Sequence, residues 1–228
     1  MKKIICILLI TSVLLFVGYK KNKSETVNQT QQTDTTIDES QENLIDITKP
    51  MIALTFDDGP SAHTQRLLDI FKTHGGKGTF FVLGSTLDDR QEALRQIAND
   101  GHEIGNHSWN HRQLTNLSEE EITDQIMMTR AKIYDTVGVD SLIMRPPYGA
   151  CDDTVKEVGA KVGVSFVNWS VDTLDWKNKD ASNEGRTEEQ RNADLKRIAD
   201  EVINNAARGD IVLMHDIYSC SVDAFCLA

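Results

Sequence analysis

Two short runs carry the residues best suited to chemistry. Thr55-Phe56-Asp57-Asp58-Gly59-Pro60 closes an apolar stretch (Met51, Ile52, Ala53, Leu54) with two adjacent carboxylates and a Gly-Pro turn; His107-Ser108-Trp109-Asn110-His111 follows about fifty residues later. Asp58, His107 and His111 offer a carboxylate oxygen and two imidazole nitrogens to a divalent cation, and Asp57 is left over beside them. Such a set suits metal-assisted hydrolysis: a bound water made acidic, open coordination positions and a base alongside. Zn2+ is the best match to these donors; Co2+, Mn2+, Fe2+ and Ni2+ are compatible with them.

The remaining chemistry is spread along the chain. Asp57 is the candidate base, because strand neighbours face opposite ways and its carboxylate need not follow that of Asp58. Arg145, in Arg145-Pro146-Pro147-Tyr148-Gly149, is placed to pair with Asp57 and keep it ionised. The two prolines stiffen that loop, and the Tyr148 backbone amide is a candidate oxyanion donor. His215 ends the apolar run Ile211-Val212-Leu213-Met214 and is the candidate acid for a leaving nitrogen near neutral pH. In Asp172-Thr173-Leu174-Asp175-Trp176, Asp175 can hold His215 in one tautomer and stabilise its charged form, and Trp176 can wall the pocket and stack on a sugar face.

The elements that must position these residues follow from hydropathy. Strand-like runs lie at 52–56, 79–83, 103–105, 142–144, 162–167 and 211–214. Amphipathic helical spacing marks 64–74 and 91–99. Capping boxes at Ser118–Glu121 and Thr187–Gln190 open helices running to Val137, before Gly138, and to about Arg208. This alternation predicts parallel strands wrapped by helices, an α/β fold of the (β/α) barrel kind. A barrel collects its active site from the C-terminal ends of its strands, and every candidate residue above sits at or just after such an end. His102 starts the third strand and is expected to be structural; His63 and His74 flank a helix and are expected to be solvated.

Of 228 residues, 24 are Lys or Arg and 35 are Asp or Glu, so the net charge is -11. That balance argues against nucleic acid or an anionic lipid surface as the main partner. Lys2 and Lys3 precede an apolar run from Ile4 to Gly18, read as an export signal or short membrane anchor over residues 1–23. The run has a weak cleavage pattern, with Tyr19 where a lipoprotein would carry its Cys. Residues 24–49 are polar and read as a tether that buries too little to order itself. Residues 50–228 form the folded domain, expected to be monomeric, to act outside the cytoplasm and to touch a membrane only through the N-terminal segment. Cys151, Cys220 and Cys226 form no CxxC pair; spacing alone permits a Cys220–Cys226 bridge, but half-buried bystanders are expected.

TFDDGP, HSWNH, RPPYG, DTLDW and LMH occur in this order from about Met51 to His215. In this the chain resembles the polysaccharide deacetylases of carbohydrate esterase family 4, the NodB-homology domains. The resemblance implies a distorted (β/α) barrel and metal-dependent hydrolysis of N-acetyl groups on β-1,4-linked amino sugars. It implies Asp57 as base, Asp58, His107 and His111 as metal ligands, Arg145 tuning Asp57, the Tyr148 amide at the oxyanion, and Asp175 tuning His215, the acid. The expected substrate is peptidoglycan N-acetylglucosamine; the alternatives are chitooligosaccharide deacetylation, acetylxylan esterase activity or an inactive relative. Members of the family usually continue beyond the LxH strand with a helix and a closing strand. Ser219 to Ala228 can begin that helix but not complete it, so the barrel is expected to be open beside His215, with Phe225 and Leu227 partly plugging the gap.

Overall fold

The computed structural model of the protein describes residues 51–178 and 187–227. The expected signal and tether, 1–23 and 24–49, lie outside the described residues. In chain order the elements are β1 (Ala53–Asp57), α1 (Thr64–His74), β2 (Thr79–Val82), α2 (Gln91–Asn99), β3 (Glu103–Asn106), α3 (Glu119–Val137), β4 (Ile143–Met144), α4 (Asp153–Val162), β5 (Ser165–Phe166), β6 (Val171–Asp172), α5 (Glu188–Asn205), β7 (Ile211–His215) and α6 (Ser219–Phe225).

The helix boundaries have local causes. Both capping boxes form, at Ser118–Glu121 and Thr187–Gln190. The third helix stops at Gly138, whose φ of 72° is the left-handed conformation that glycine adopts without steric penalty. Helix α4 was not anticipated individually, although Asp152 caps it by accepting the Val155 N–H at 2.9 Å. Because α4 takes Val162 into its last turn, the strand expected over 162–167 contracts to Ser165–Phe166.

All seven strands are parallel and pair in the order β5-β4-β3-β2-β1-β7-β6. The two edge strands, β5 and β6, are joined by only residues 167–170. A flat sheet would separate its edges by about 29 Å, from six spacings of about 4.8 Å. The steps from Phe166 to Val171 reach at most about 18 Å, so the sheet must curl into an open barrel. The opening therefore lies between β5 and β6 and not beside His215, because β7 is paired on both sides. The sequence reading missed β6, a two-residue strand too short to show any alternation.

Alternation along the strands separates two faces. Phe56, Phe80, Val82, Ile104, Val212 and Met214 belong to the main buried cluster with Leu67, Leu68 and Phe71 of α1 and Ile198 and Val202 of α5. Thr55, Asp57, Phe81, Gly105, Leu213 and His215 share the other, inner face. There Phe81 lies beside Gly105, and its ring occupies the space a Cβ at position 105 would need. Helix α6 is the start of the helix that the final residues were expected to begin. Phe225 packs on Phe71 and Phe56 with ring centroids 5.1 and 5.7 Å apart, and Cys220, Val222 and Ala224 are buried, while Leu227 is exposed. Cys151, Cys220 and Cys226 form no disulfide with one another.

Candidate active site

The predicted residues converge at the C-terminal ends of the strands, around a cleft of about 410 Å3 lined by Asp57, Asp58, His107, His111, Tyr148 and His215, with Trp169, Asp172, Trp176, Leu213 and Tyr218. Strand register does much of this. Asp57 pairs with His215 on the adjacent strand β7 and with Phe81 on β2, so base and acid candidates stand side by side on one face.

Asp58, His107 and His111 are brought together, with one ligand atom from each lying within 4.8 Å of the others. His107 Nε2 and His111 Nε2 are each 3.4 Å from Asp58 Oδ1, too far for good hydrogen bonds. That oxygen is buried and has no hydrogen-bond partner. Two donors each about 2.0–2.1 Å from one ion at a tetrahedral angle would stand about 3.4 Å apart, so a shared cation accounts for both the spacing and the orphaned oxygen. Burial pushes the His107 pKa down to about 3, which keeps the ring neutral as a ligand must be. Its Nδ1 faces the Arg145 carbonyl at 2.8 Å. A carbonyl only accepts, so Nδ1 carries the proton and Nε2 the free lone pair.

The loop bearing the two histidines is clamped from below by residues the sequence reading did not single out. Asn106 accepts the Ser108 N–H at 2.8 Å and donates to the Ile126 carbonyl of α3. Gln125, also on α3, accepts the Trp109 and Asn110 amides. Backbone strain concentrates here. All five non-glycine residues with positive φ among those described, Asp58 (73°), Ser108 (72°), His111 (59°), Tyr148 (61°) and Leu174 (54°), belong to loops of this site. Such conformations persist only where the surroundings enforce them.

Arg145 is wholly buried and spans the barrel interior. It donates to Asp57 Oδ1 (2.8 Å) and Thr55 Oγ1 (2.7 Å) on β1, and to the Val167 and Asn168 carbonyls on the crossing from β5 to β6. Its guanidinium lies 4.3 Å from the Phe81 ring centroid. Burial pushes the Asp57 carboxyl up to about 6, against the opposing pull of Arg145 and His215. Arg145 thus pairs with Asp57 and pulls its pKa down against the larger, upward effect of burial.

His215 shows the opposite balance. Burial disfavours its charge, but the Asp175 hydrogen bond and the charges of Asp175, Asp57 and Asp58 outweigh it and raise the imidazole to about 9. Asp175 is fully buried; its Oδ1 accepts from His215 Nδ1 and the Trp176 N–H, both at 2.8 Å, and its Oδ2 from the His215 N–H (2.7 Å) and Ser221 Oγ (2.6 Å). Tyr148 places its ring edge-on to His111, with centroids 4.6 Å apart, and its side chain is largely exposed at the cleft mouth with that of Trp176. Behind the Asp58 loop, burial pushes Asp216 up to about 7; it accepts from Thr64 Oγ1. His102 is structural as expected: it is buried, accepts the Gly78 N–H at 3.0 Å and packs on Phe71 and Phe80. His74 is exposed and His63 half-buried.

A curled parallel β/α sheet with paired carboxylates and a two-histidine loop at its C-terminal rim defines the class, and comparison with known proteins agrees. The family described as polysaccharide deacetylase matches residues 44–167. The chain belongs to that family, carbohydrate esterase family 4. It is 42% identical over 172 residues to the peptidoglycan-N-acetylglucosamine deacetylase PgdA of Listeria monocytogenes, covering 75% of this chain and 33% of that protein. It is 37% identical over 210 residues to the peptidoglycan-N-acetylmuramic acid deacetylase PdaC of Bacillus subtilis, covering 92% and 41%. The chain therefore spans about a third to two-fifths of these relatives' length. The solved structure of PdaC superposes with a TM-score of 0.69 at 39% identity over 79% of this chain and 81% of that one. A CE4 family pseudoenzyme from Bacillus anthracis also superposes, with a TM-score of 0.67 at 29% identity over 78% and 58%, so activity has to be argued from the site and not from the fold.

Proposed function

We propose that this domain is a metal-dependent N-deacetylase that removes acetyl groups from N-acetylglucosamine residues of peptidoglycan outside the cytoplasm. The observation that carries the reading is the placement of Asp57 and His215 as register partners beside Asp58, His107 and His111 in one cleft. A divalent ion held by Asp58, His107 and His111, with Zn2+ the best match, would polarise the acetyl carbonyl and make water acidic.

The chain's own groups then divide the work. Asp57 takes the proton from the attacking water, and Arg145 holds its carboxylate toward the cleft. The Tyr148 amide donates to the oxyanion. His215 gives its proton to the departing nitrogen, so the C–N bond breaks to acetate and a free amine. Asp175 keeps His215 charged and oriented until then. Trp176, half-exposed on the rim, is suited to stack on a sugar ring. Residues 1–23 serve as export signal or anchor, 24–49 as tether and 50–228 as the catalytic, monomeric unit. Among the described residues no helix is long and apolar enough to cross a membrane.

The test is acetate release by the zinc- or cobalt-loaded protein from peptidoglycan, acetylated chitooligosaccharides and acetylxylan. Peptidoglycan should be preferred. His107→Ala should weaken metal binding by more than the ~10–100-fold typical of outer-sphere changes, and should abolish release. A folded, metal-loaded protein that frees no acetate from any of the three overturns the reading.

A further inference from the structure

Among the described residues, three of the four hydrogen bonds to Asp175 come from its own turn or from His215, the residue it orients. The fourth does not. Ser221 lies 46 residues away on α6, is fully buried, and donates its hydroxyl to Asp175 Oδ2 at 2.6 Å. We propose that Ser221 is a positioning residue for the acid pair, its hydroxyl fixing the Asp175 carboxylate so that His215 stays oriented toward the cleft. The inference rests on the reading of His215 as the acid.

A charged carboxylate offers about four lone-pair positions, and here each oxygen accepts two bonds. Oδ1 takes the His215 ring and the adjacent Trp176 amide; Oδ2 takes the His215 amide and Ser221. Without Ser221, Oδ2 keeps only the His215 amide of β7 and loses its bond from α6. The carboxylate can then rotate about its Cβ–Cγ bond, and the ring bonded to Oδ1 moves with it. The donor itself is held firmly. On either side of it along α6, Cys220 and Val222 are buried, Phe225 packs on Phe71 and Phe56, and Asp223 pairs with Arg66. Helix α6 is therefore a buttress that reaches the site through one hydroxyl.

The experiment uses the full zinc-loaded chain with Ser221→Ala, Ser221→Thr and Ser221→Cys. It reads kcat and KM for acetate release from an acetylated chitooligosaccharide, and separately the NMR signal of the His215 Nδ1 proton, which needs no substrate. A buried hydrogen bond to a charged group has the strength to change a rate by about 10–100-fold. Ser221→Ala should lower kcat by that factor with KM within about twofold, and should broaden or shift the Nδ1 proton signal. Ser221→Thr should restore both, and the weakly donating thiol of Ser221→Cys should fall between. Wild-type kcat with an unchanged proton signal in Ser221→Ala overturns the inference, as does a threonine variant no better than alanine. If Ser221→Ala does not fold, the ranking of threonine over cysteine decides in the same way. If the wild-type chain itself releases no acetate, the proposed function fails and the proton signal decides alone: its change in Ser221→Ala and return in Ser221→Thr support the positioning, and its persistence in Ser221→Ala refutes it.

Discussion

An imidazole in water loses its proton near pH 6.5; His215 keeps it to about 9 because Asp175 and the cleft carboxylates outweigh burial. The sign of the consequence is definite. The protonated form is the acid and ionised Asp57 the base, so kcat/KM should hold between about pH 6 and about pH 9 and fall as pH rises through 9. The same linkage acts on folding: the stability contributed by this pair is complete below about pH 6.5, the unfolded value, and is lost as pH rises through about 9. Asp175→Asn removes the charge but leaves the burial. It should move the alkaline limb down to 6.5 or lower and reduce kcat by about 10²–10⁴, as a pH–rate profile would show. At this scale the sequence was highly informative. Asp57, Asp58, His107, His111, Arg145, Tyr148, Asp175, Trp176 and His215 were all singled out, and all meet at the cleft or directly behind it. The direction of the Asp57 shift was not legible, because burial is not a property of the local sequence.

At the level of elements, the inner face of the sheet is arranged by one exchange of volumes. Phe81 fills the space beside Gly105 and supports the Arg145 guanidinium on its ring. Gly105→Ala should push Phe81 into Arg145, costing about 1–3 kcal/mol by overpacking. For a domain of this size that corresponds to a Tm lower by about 2–4 °C per kcal/mol. The displaced guanidinium should also reduce acetate release, so activity and Tm should fall together; a variant with lowered Tm and full activity would contradict the arrangement. The long helices were readable because capping boxes and glycine stops are local signals. Strand β6 and the true extent of β5 were not. Two residues carry no period, and each exists as a strand only because a neighbour offers it hydrogen bonds.

For the molecule as a whole, the last described helix matters more than its seven residues suggest. Phe225 joins the ring cluster of Phe56, Phe71 and Phe80 against the helices, on the opposite face of β1 from Asp57. It is half-buried, so Phe225→Ala should cost about 2–3 kcal/mol, below the 3–5 kcal/mol typical of fully buried aromatics. Urea unfolding should show a lower midpoint with an unchanged slope; an unchanged midpoint would mean that α6 is not part of the cooperative unit.

The motif residues, their order and the parallel β/α alternation were determined by sequence alone, because ligand chemistry, caps and hydrophobic period are written in residue type and short-range spacing. The place where the barrel opens, the reach of Arg145 across the interior, the clamp from Asn106 and Gln125, and the bond from Ser221 to Asp175 were decided only by the tertiary structure. Each joins residues far apart in the chain, or depends on how deeply a charge is buried, and both arise only when the sheet curls and brings its edges together.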